Sequence, residues 1–274
     1  MRLLTKEELE NEDGNYINYP ENPSIPLNGR IKLAYDWIPE KSNILLDGGC
    51  AWGYGTCFFK KKCNNTYGID PNEGFITLAK KRYPFIQFLK SGLENTPFKS
   101  NFFEVIILND VIEHVKDESQ SLNEMFRILK PEGILIITTL NKGMFSFIDP
   151  DNFVFFLRKK LPAIYKLLYR IKKGKYPGLV RPGYEAKHRH YSTSNLRSML
   201  NNSKFKNRYD VVKIFRSGLF MEGITSNLDL FLSFILGKKS TSVLLKPLLF
   251  LSKFDFWIPY SLFSYNLAFK IIKK

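Results

Sequence analysis

Residues 43–55, NILLDGGCAWGYG, pass from a buried strand to exposed backbone, and the rest of the chain is read outward from them. Ile44, Leu45 and Leu46 form the short apolar run that a parallel strand covered on both faces requires, and Asp47 ends it. Gly48, Gly49, Gly53 and Gly55 follow; with no Cβ, the chain there can turn tightly and lay its N–H groups against a ligand. Tyr54 to Lys62 reads as a helix, so the unit is strand, glycine loop, helix, with the positive end of the helix dipole aimed into the loop. Asn65 to Ile69 reads as the next strand. It ends in Asp70, at the distance from the loop where an acid accepts hydrogen bonds from ribose hydroxyls. More than one nucleoside ligand satisfies that geometry.

The dinucleotide fingerprint is G-x-G-x-x-G, whereas Gly49-Cys50-Ala51-Trp52-Gly53 follows Asp47 with G-x-A-x-G spacing. This loop resembles the first motif of class I S-adenosylmethionine-dependent methyltransferases, D-x-G-x-G-x-G, with Ala51 in place of the middle glycine. Residues 91–114, SGLENTPFKSNFFEVIILNDVIEH, look like the third and fourth motifs of the quinone-biosynthesis branch of that family (types 11 and 12). Residues 127–139, RILKPEGILIITT, are similar to its turn into the fifth strand. The resemblance is strong over residues 30–142 and then thins to residues 188–200 and the final strand.

It implies an α/β, Rossmann-like doubly wound sheet, mostly parallel with an antiparallel last strand, and S-adenosylmethionine as cofactor with S-adenosylhomocysteine as product. It also implies roles. Backbone from Gly49 through Cys50 and Ala51 to Gly53 would lie along the methionine part, Asp70 would hold the ribose hydroxyls, and the backbone N–H of Leu93 would meet the adenine. Asn109 and Asp110 would face the cofactor's amino group. Gly92 stands where the family usually has an acid, so either Glu94 supplies that contact or none is made. For Asp47 two readings stay open, capping of the loop amides and contact with the ligand.

Other residues narrow the chemistry. Enzymes that methylate base amines carry [DN]-P-P-[YFW] after the fourth strand, and this chain has Asn109-Asp110-Val111-Ile112 there, which disfavours that reaction. Glu113-His114 matches the family's E-H pair. His114, His188 and His190 are the three histidines and the candidates for a general base if the acceptor is a hydroxyl, each with a purely structural role as its rival. His188 and His190 alternate onto one face, but no third ligand at suitable spacing accompanies them, so no metal site is expected.

Charge divides the chain sharply. Residues 1–150 hold 17 Lys and Arg against 20 Asp and Glu, while residues 151–274 hold 24 against 6, so the whole excess of +15 belongs to the second half. A field of one sign draws anionic partners such as a phosphorylated substrate, nucleic acid or anionic lipid. Nucleic acid is the weaker expectation, because no aromatic-basic pattern of a known RNA module appears. Cys50, Cys57 and Cys63 include no C-x-x-C pair and support neither a disulfide framework nor zinc; with no signal-peptide pattern at the start, the expected place is the cytoplasm, with peripheral attachment to a membrane as an extension. The longest uncharged run, Phe256 to Phe269, has 14 residues and contains Pro259, too little for a spanning helix.

Four regions are expected: an arm over 1–30, the core over 31–145, a helical acceptor-side segment over 146–208, and the last two strands over 209–274 with an apolar insertion at 216–262. Strands are placed near 43–47, 65–69, 85–89, 104–109, 133–139, 209–215 and 265–273. Helices are placed near 30–38, 54–62, 73–82, 117–129 and 194–200, with a short one at 111–115. Residues 153–175, FVFFLRKKLPAIYKLLYRIKKGK, contain eight Lys or Arg and no acid. A basic amphipathic helix should begin near Pro162, with Leu161, Ile164, Leu167, Leu168 and Ile171 as its stripe. That stripe either lies on a membrane or acidic partner or packs on the protein's own core. About 50 residues separate the last two strands, and their Leu and Phe exceed what a hairpin connection needs. Lipid, a lid and a homodimer interface are the competing destinations for that surface. The expected reaction is methyl transfer to a small-molecule or lipid-linked acceptor, at an oxygen; an RNA acceptor and a non-catalytic binding module are the alternatives.

Overall fold

The computed structural model describes residues 27–143, 150–173, 189–218 and 243–274, with isolated positions between 224 and 240. Residues 1–26 of the N-terminal arm, His188 and much of 219–242 within the insertion lie outside the described residues. Two compact units divide the chain: one comprises Met1–Thr139, Thr193–Phe215 and Ala268–Lys274, the other Leu140–Ser192 and Arg216–Leu267.

The first unit begins with α1 (Gly29–Trp37), β1 (Ser42–Gly48), α2 (Tyr54–Phe59, continued by a 3-10 turn over Lys60–Lys62) and β2 (Cys63–Asp70). Next come α3 (Glu73–Arg82), β3 (Gln87–Lys90), β4 (Phe103–Asn109), α4 (Glu118–Ile128) and β5 (Leu129–Leu140). The remaining elements are α5 (Pro150–Lys160), α6 (Pro162–Lys173), α7 (Thr193–Asn201), β6 (Tyr209–Ser217), α8 (Lys246–Asp255) and β7 (Asn266–Lys273). The strands form one seven-stranded sheet in the order β3-β2-β1-β4-β5-β7-β6, and β3, β2, β1, β4 and β5 pair in parallel. β7 runs against β6: Lys274 N–H donates to Arg208 O at one end and Tyr265 N–H to Ser217 O at the other. The chain order reverses between β1 and β4, which is where ligands bind on open α/β sheets.

The apolar runs are where the pattern put them. Leu45, Leu46, Ile106 and Ile107 are wholly buried, as strands covered on both faces must be. Helix starts are chemically marked: Asn72 caps α3 by accepting from Gly74 and Phe75 N–H, and Asp117 caps α4 by accepting from Gln120 N–H. The last strand is tied down by a buried cation. Lys273 Nζ donates to Phe126 O at 2.7 Å, Leu129 O at 2.6 Å and Asn101 Oδ1 at 2.8 Å, which leaves its charge well solvated by acceptors.

Three expectations shift. The segment at 111–115 is a single turn closed by His114 N–H to Val111 O, and Asp110 before it takes a left-handed φ of 55°. β3 starts at Gln87 rather than 85, since Ile86 N–H bonds back to Tyr83 O around Pro84. β5 starts four residues early; its register jumps from Phe103↔Leu129 to Val105↔Ile134, a bulge that absorbs the Pro131-Glu132-Gly133 turn expected ahead of the strand.

The second unit is held together through backbone as well. Tyr191 N–H donates to Leu140 O and Lys142 N–H to Tyr191 O, while Asn141 donates from its N–H to Tyr265 O and from Nδ2 to Ser264 O at 2.7 Å. The basic helix expected from Pro162 is α6, and a second helix, α5, precedes it; the two part at Leu161-Pro162, where a proline fits only the first turn of a new helix.

Candidate functional site

The loop after β1 is bent by backbone rather than by side chains. Gly49 and Gly53 hold φ of 76° and 80°, and a Cβ on Gly49 would sit 2.4 Å from Val111 Cγ2, so the 110–114 turn lies directly against the loop. Ala51 also takes a left-handed φ, 47°, the conformation that makes glycine the usual residue at its position. Gly49 and Cys50 N–H both donate to Ile69 O, at 2.8 and 3.0 Å, which fastens the loop to the end of β2.

Asp70 completes that fastening. Its Oδ2 accepts from Ala51 N–H at 3.1 Å and its Oδ1 from Asn72 N–H at 2.8 Å, so the carboxylate faces the loop while each oxygen keeps a lone pair. Burial raises its pKa to about 6 against the pull of these two amides. Asp47, deeper in, accepts from Thr56 Oγ1 at 2.6 Å; burial, with the nearby Asp70 charge adding to it, carries its pKa to about 7. Of the two readings of Asp47, the observed partner is a helix side chain rather than the loop amides.

On the far side of β1 the groups come from β4. Asn109 Oδ1 accepts from Thr138 Oγ1 at 2.9 Å, and Asp110 N–H donates to Thr138 O. Asp110 Oδ1 pairs with Arg30 Nε of α1 at 2.6 Å. Glu113 lies beneath this pair, buried, accepting from Thr139 Oγ1 at 3.0 Å; burial and then the Asp110 charge push its pKa up to about 8. Leu93 is buried with Cδ2 2.9 Å from where a Cβ on Gly48 would lie, so the segment after β3 reaches the end of β1. Cys50 is a buried free thiol whose pKa burial raises well above its ordinary value; it packs against Gly68 and is no nucleophile.

Asp47, Gly49, Cys50, Ala51, Gly53, Asp70, Leu93, Asn109 and Asp110 thus gather at the carboxyl ends of β1, β2 and β4. His114 is exposed at the end of the adjoining turn. His190 is half-buried and belongs to the second unit, and His188 falls outside the described residues. Sequence reasoning missed Arg30 and gave Glu113 no role. Arg30 lies 80 residues from Asp110, and nothing local marks it; Glu113 was visible in the E-H pair.

Comparison with known proteins agrees with this geometry. Residues 46–137 match the Methyltransferase domain family. The ubiquinone/menaquinone biosynthesis C-methyltransferase UbiE of Campylobacter jejuni is 31% identical over 116 residues, 41% of this chain and 48% of that protein. The chain therefore spans about half the length of that relative. Among solved structures, the YcgJ protein of Bacillus subtilis superposes with a TM-score of 0.52 at 14% identity, covering 89% of this chain and 98% of that one. Geranyl diphosphate C-methyltransferase of Streptomyces coelicolor, determined with Mg2+, geranyl diphosphate and S-adenosylhomocysteine, superposes with a TM-score of 0.55 at 11% identity, covering 89% and 78%. At such identities the two structures speak for the fold.

Proposed function

We propose that this chain, whose residues 46–137 form a class I S-adenosylmethionine-dependent methyltransferase domain, moves a methyl group to an oxygen of a small-molecule or lipid-linked acceptor. The observation that carries the reading is the Asp70 carboxylate, turned into a left-handed glycine loop with lone pairs to spare. The residues present fit the cofactor: an acceptor for two ribose hydroxyls lies beside backbone that no Cβ obstructs at Gly49 and Gly53. S-adenosylmethionine supplies there a sulfonium methyl already activated for transfer. The protein's part is then positioning. Asp70 would hold the ribose, the Gly49–Gly53 backbone would line the methionine part, Leu93 N–H would meet the adenine, and Asn109 with Asp110 would take the amino group. Arg30 fixes the Asp110 carboxylate by its ion pair and so orients that end of the site.

For an oxygen acceptor a base must remove the hydroxyl proton, and His114 is the histidine of the first unit that ends the turn packed on the loop. A carbon acceptor is the second reading, favoured because the Campylobacter jejuni relative is named a C-methyltransferase. Methyl-labelled S-adenosylmethionine incubated with the protein and with separated aqueous and lipid fractions of cells tests both. Label appearing as a methyl ether, and falling at least tenfold with His114→Ala, supports the oxygen reading. Label on carbon moves the assignment to the second reading, and no transfer into any fraction removes both.

A further inference from the structure

We propose that the second unit docks on anionic lipid through the outward faces of two of its helices, α6 and α8. The proposal stands on that unit alone and needs no assumption about methyl transfer. On α6, Tyr165, Leu168 and Tyr169 are half-buried, while Ile164 and Leu167 are 45% and 57% exposed. With 3.6 residues per turn, the outward arc runs from Ile164 through Leu167 to Arg170 and Lys166. The stripe read from the sequence is thus split. Its Leu168 edge, with two tyrosines, turns inward, and its Ile164 and Leu167 edge is displayed beside two cations.

α8 repeats the arrangement with rings. Leu245, Asp255 and Phe256 are buried, whereas Phe250 and Phe254 are 60% and 59% exposed. Those two rings, one helical turn apart, contact each other edge to face at 5.0 Å, a pair formed at the surface instead of in a core. Lys246 and Lys253 are exposed on the same arc, and Trp257 and Ile258, also exposed, follow the helix. Large apolar side chains set among cations are what an amphipathic helix lying in a lipid headgroup region presents, with rings and aliphatics entering the acyl boundary and Lys and Arg meeting lipid phosphates. Charge fixes the lipid class. The stretch 150–173 carries seven Lys or Arg and one acid, Asp151, so an anionic surface attracts it and a zwitterionic one does not. Among the described residues no helix is long and apolar enough to cross a membrane, so attachment is to the surface.

The test floats the full chain with vesicles of phosphatidylcholine alone and with vesicles containing about one-third phosphatidylglycerol. The chain rises with the anionic vesicles and stays behind with the neutral ones. The double variants Ile164→Ser with Leu167→Ser, and Phe250→Ser with Phe254→Ser, each lower the bound fraction about tenfold with the circular dichroism spectrum unchanged. Lys166→Gln with Arg170→Gln weakens binding and flattens its salt dependence. Equal flotation on neutral vesicles, none on either, or full flotation by well-folded variants overturns the proposal. So does a dimer, seen by light scattering without vesicles, that the same apolar variants abolish, because a second copy would then cover the face.

Discussion

The two units use the same residue types to opposite ends. In the first, Ile44, Leu45 and Leu46 are a run with no charge among them, and Leu45 and Leu46 end wholly buried in the sheet. In the second, Leu167 and Leu168 stand between Lys166 and Arg170; one leucine is displayed and the other half covered. The acids differ in the same way. Asp47, Asp70 and Glu113 are drawn inward and bonded, while the second half of the chain has few acids and many cations. Hydrophobicity alone therefore does not say where a side chain goes. What decides is whether the neighbouring charges can reach water while it is buried.

The sharpest way to break this contrast is to make one substitution in both places. Leu46→Ala should cost about 3–4 kcal/mol in chemical denaturation, because it opens a cavity in the central sheet. Leu167→Ala should stay within about 0.5 kcal/mol. Comparable losses at both would show that the exposed face of α6 is covered in solution. Next in size is Gly49→Ala, which combines a left-handed φ with overlap on Val111 and should lower stability by about 3 kcal/mol, read as a fall in Tm of about 10 °C. Val111→Ala in the same chain should recover part of it.

A smaller effect is set by pH. Glu113 and Asp47 have folded-state pKa values raised to about 8 and about 7, so the folded protein keeps protons that the unfolded chain releases. Their contribution is complete below the ordinary carboxyl range and is lost as pH rises toward about 8. Glu104 and Glu124 are shifted down, with burial raising and hydrogen bonds to Asn43 and Lys130, or to Arg127 and Thr96, lowering more; their contribution is lost only in acid. Tm should accordingly decline between about pH 5 and pH 8, and Glu113→Gln should flatten that decline. A wild-type Tm that rises over this interval would contradict the buried, protonated Glu113. Smallest is Ala51→Gly, which relieves the strained φ of 47° and should raise stability by about 1 kcal/mol, a few degrees in a thermal scan.

Most of the sheet was legible because a parallel strand buried on both faces must be an uninterrupted apolar run. The place of Asp70 at the strand end beside the glycine loop was legible too, but not that its carboxylate fastens the loop through Ala51 N–H. Asn72 and Asp117 cap their helices by ordinary chemistry, a signal that the sequence reading left unused. What escaped were contacts made across the chain. Nothing near Arg30 announces a partner at Asp110, and nothing near Asp110 announces its left-handed backbone or that a single turn follows it. The early start of β5 was hidden by Pro131 and Gly133, residues that ordinarily end strands and here are carried by a bulge. On α6 the apolar stripe was visible in sequence, but which edge of it faces outward depends on the packing of α5 and α6.

Methyl transfer by this chain requires that the Asp70 carboxylate and the glycine loop form a seat for a sulfonium nucleoside, and calorimetric titration with S-adenosylhomocysteine tests that seat directly. The expected result is saturable binding at one site, weakened about 100-fold by Asp70→Ala, since two charge-assisted hydrogen bonds to the ribose are lost. No heat of binding to the wild-type protein, or equal affinity in the Asp70→Ala variant, would contradict it.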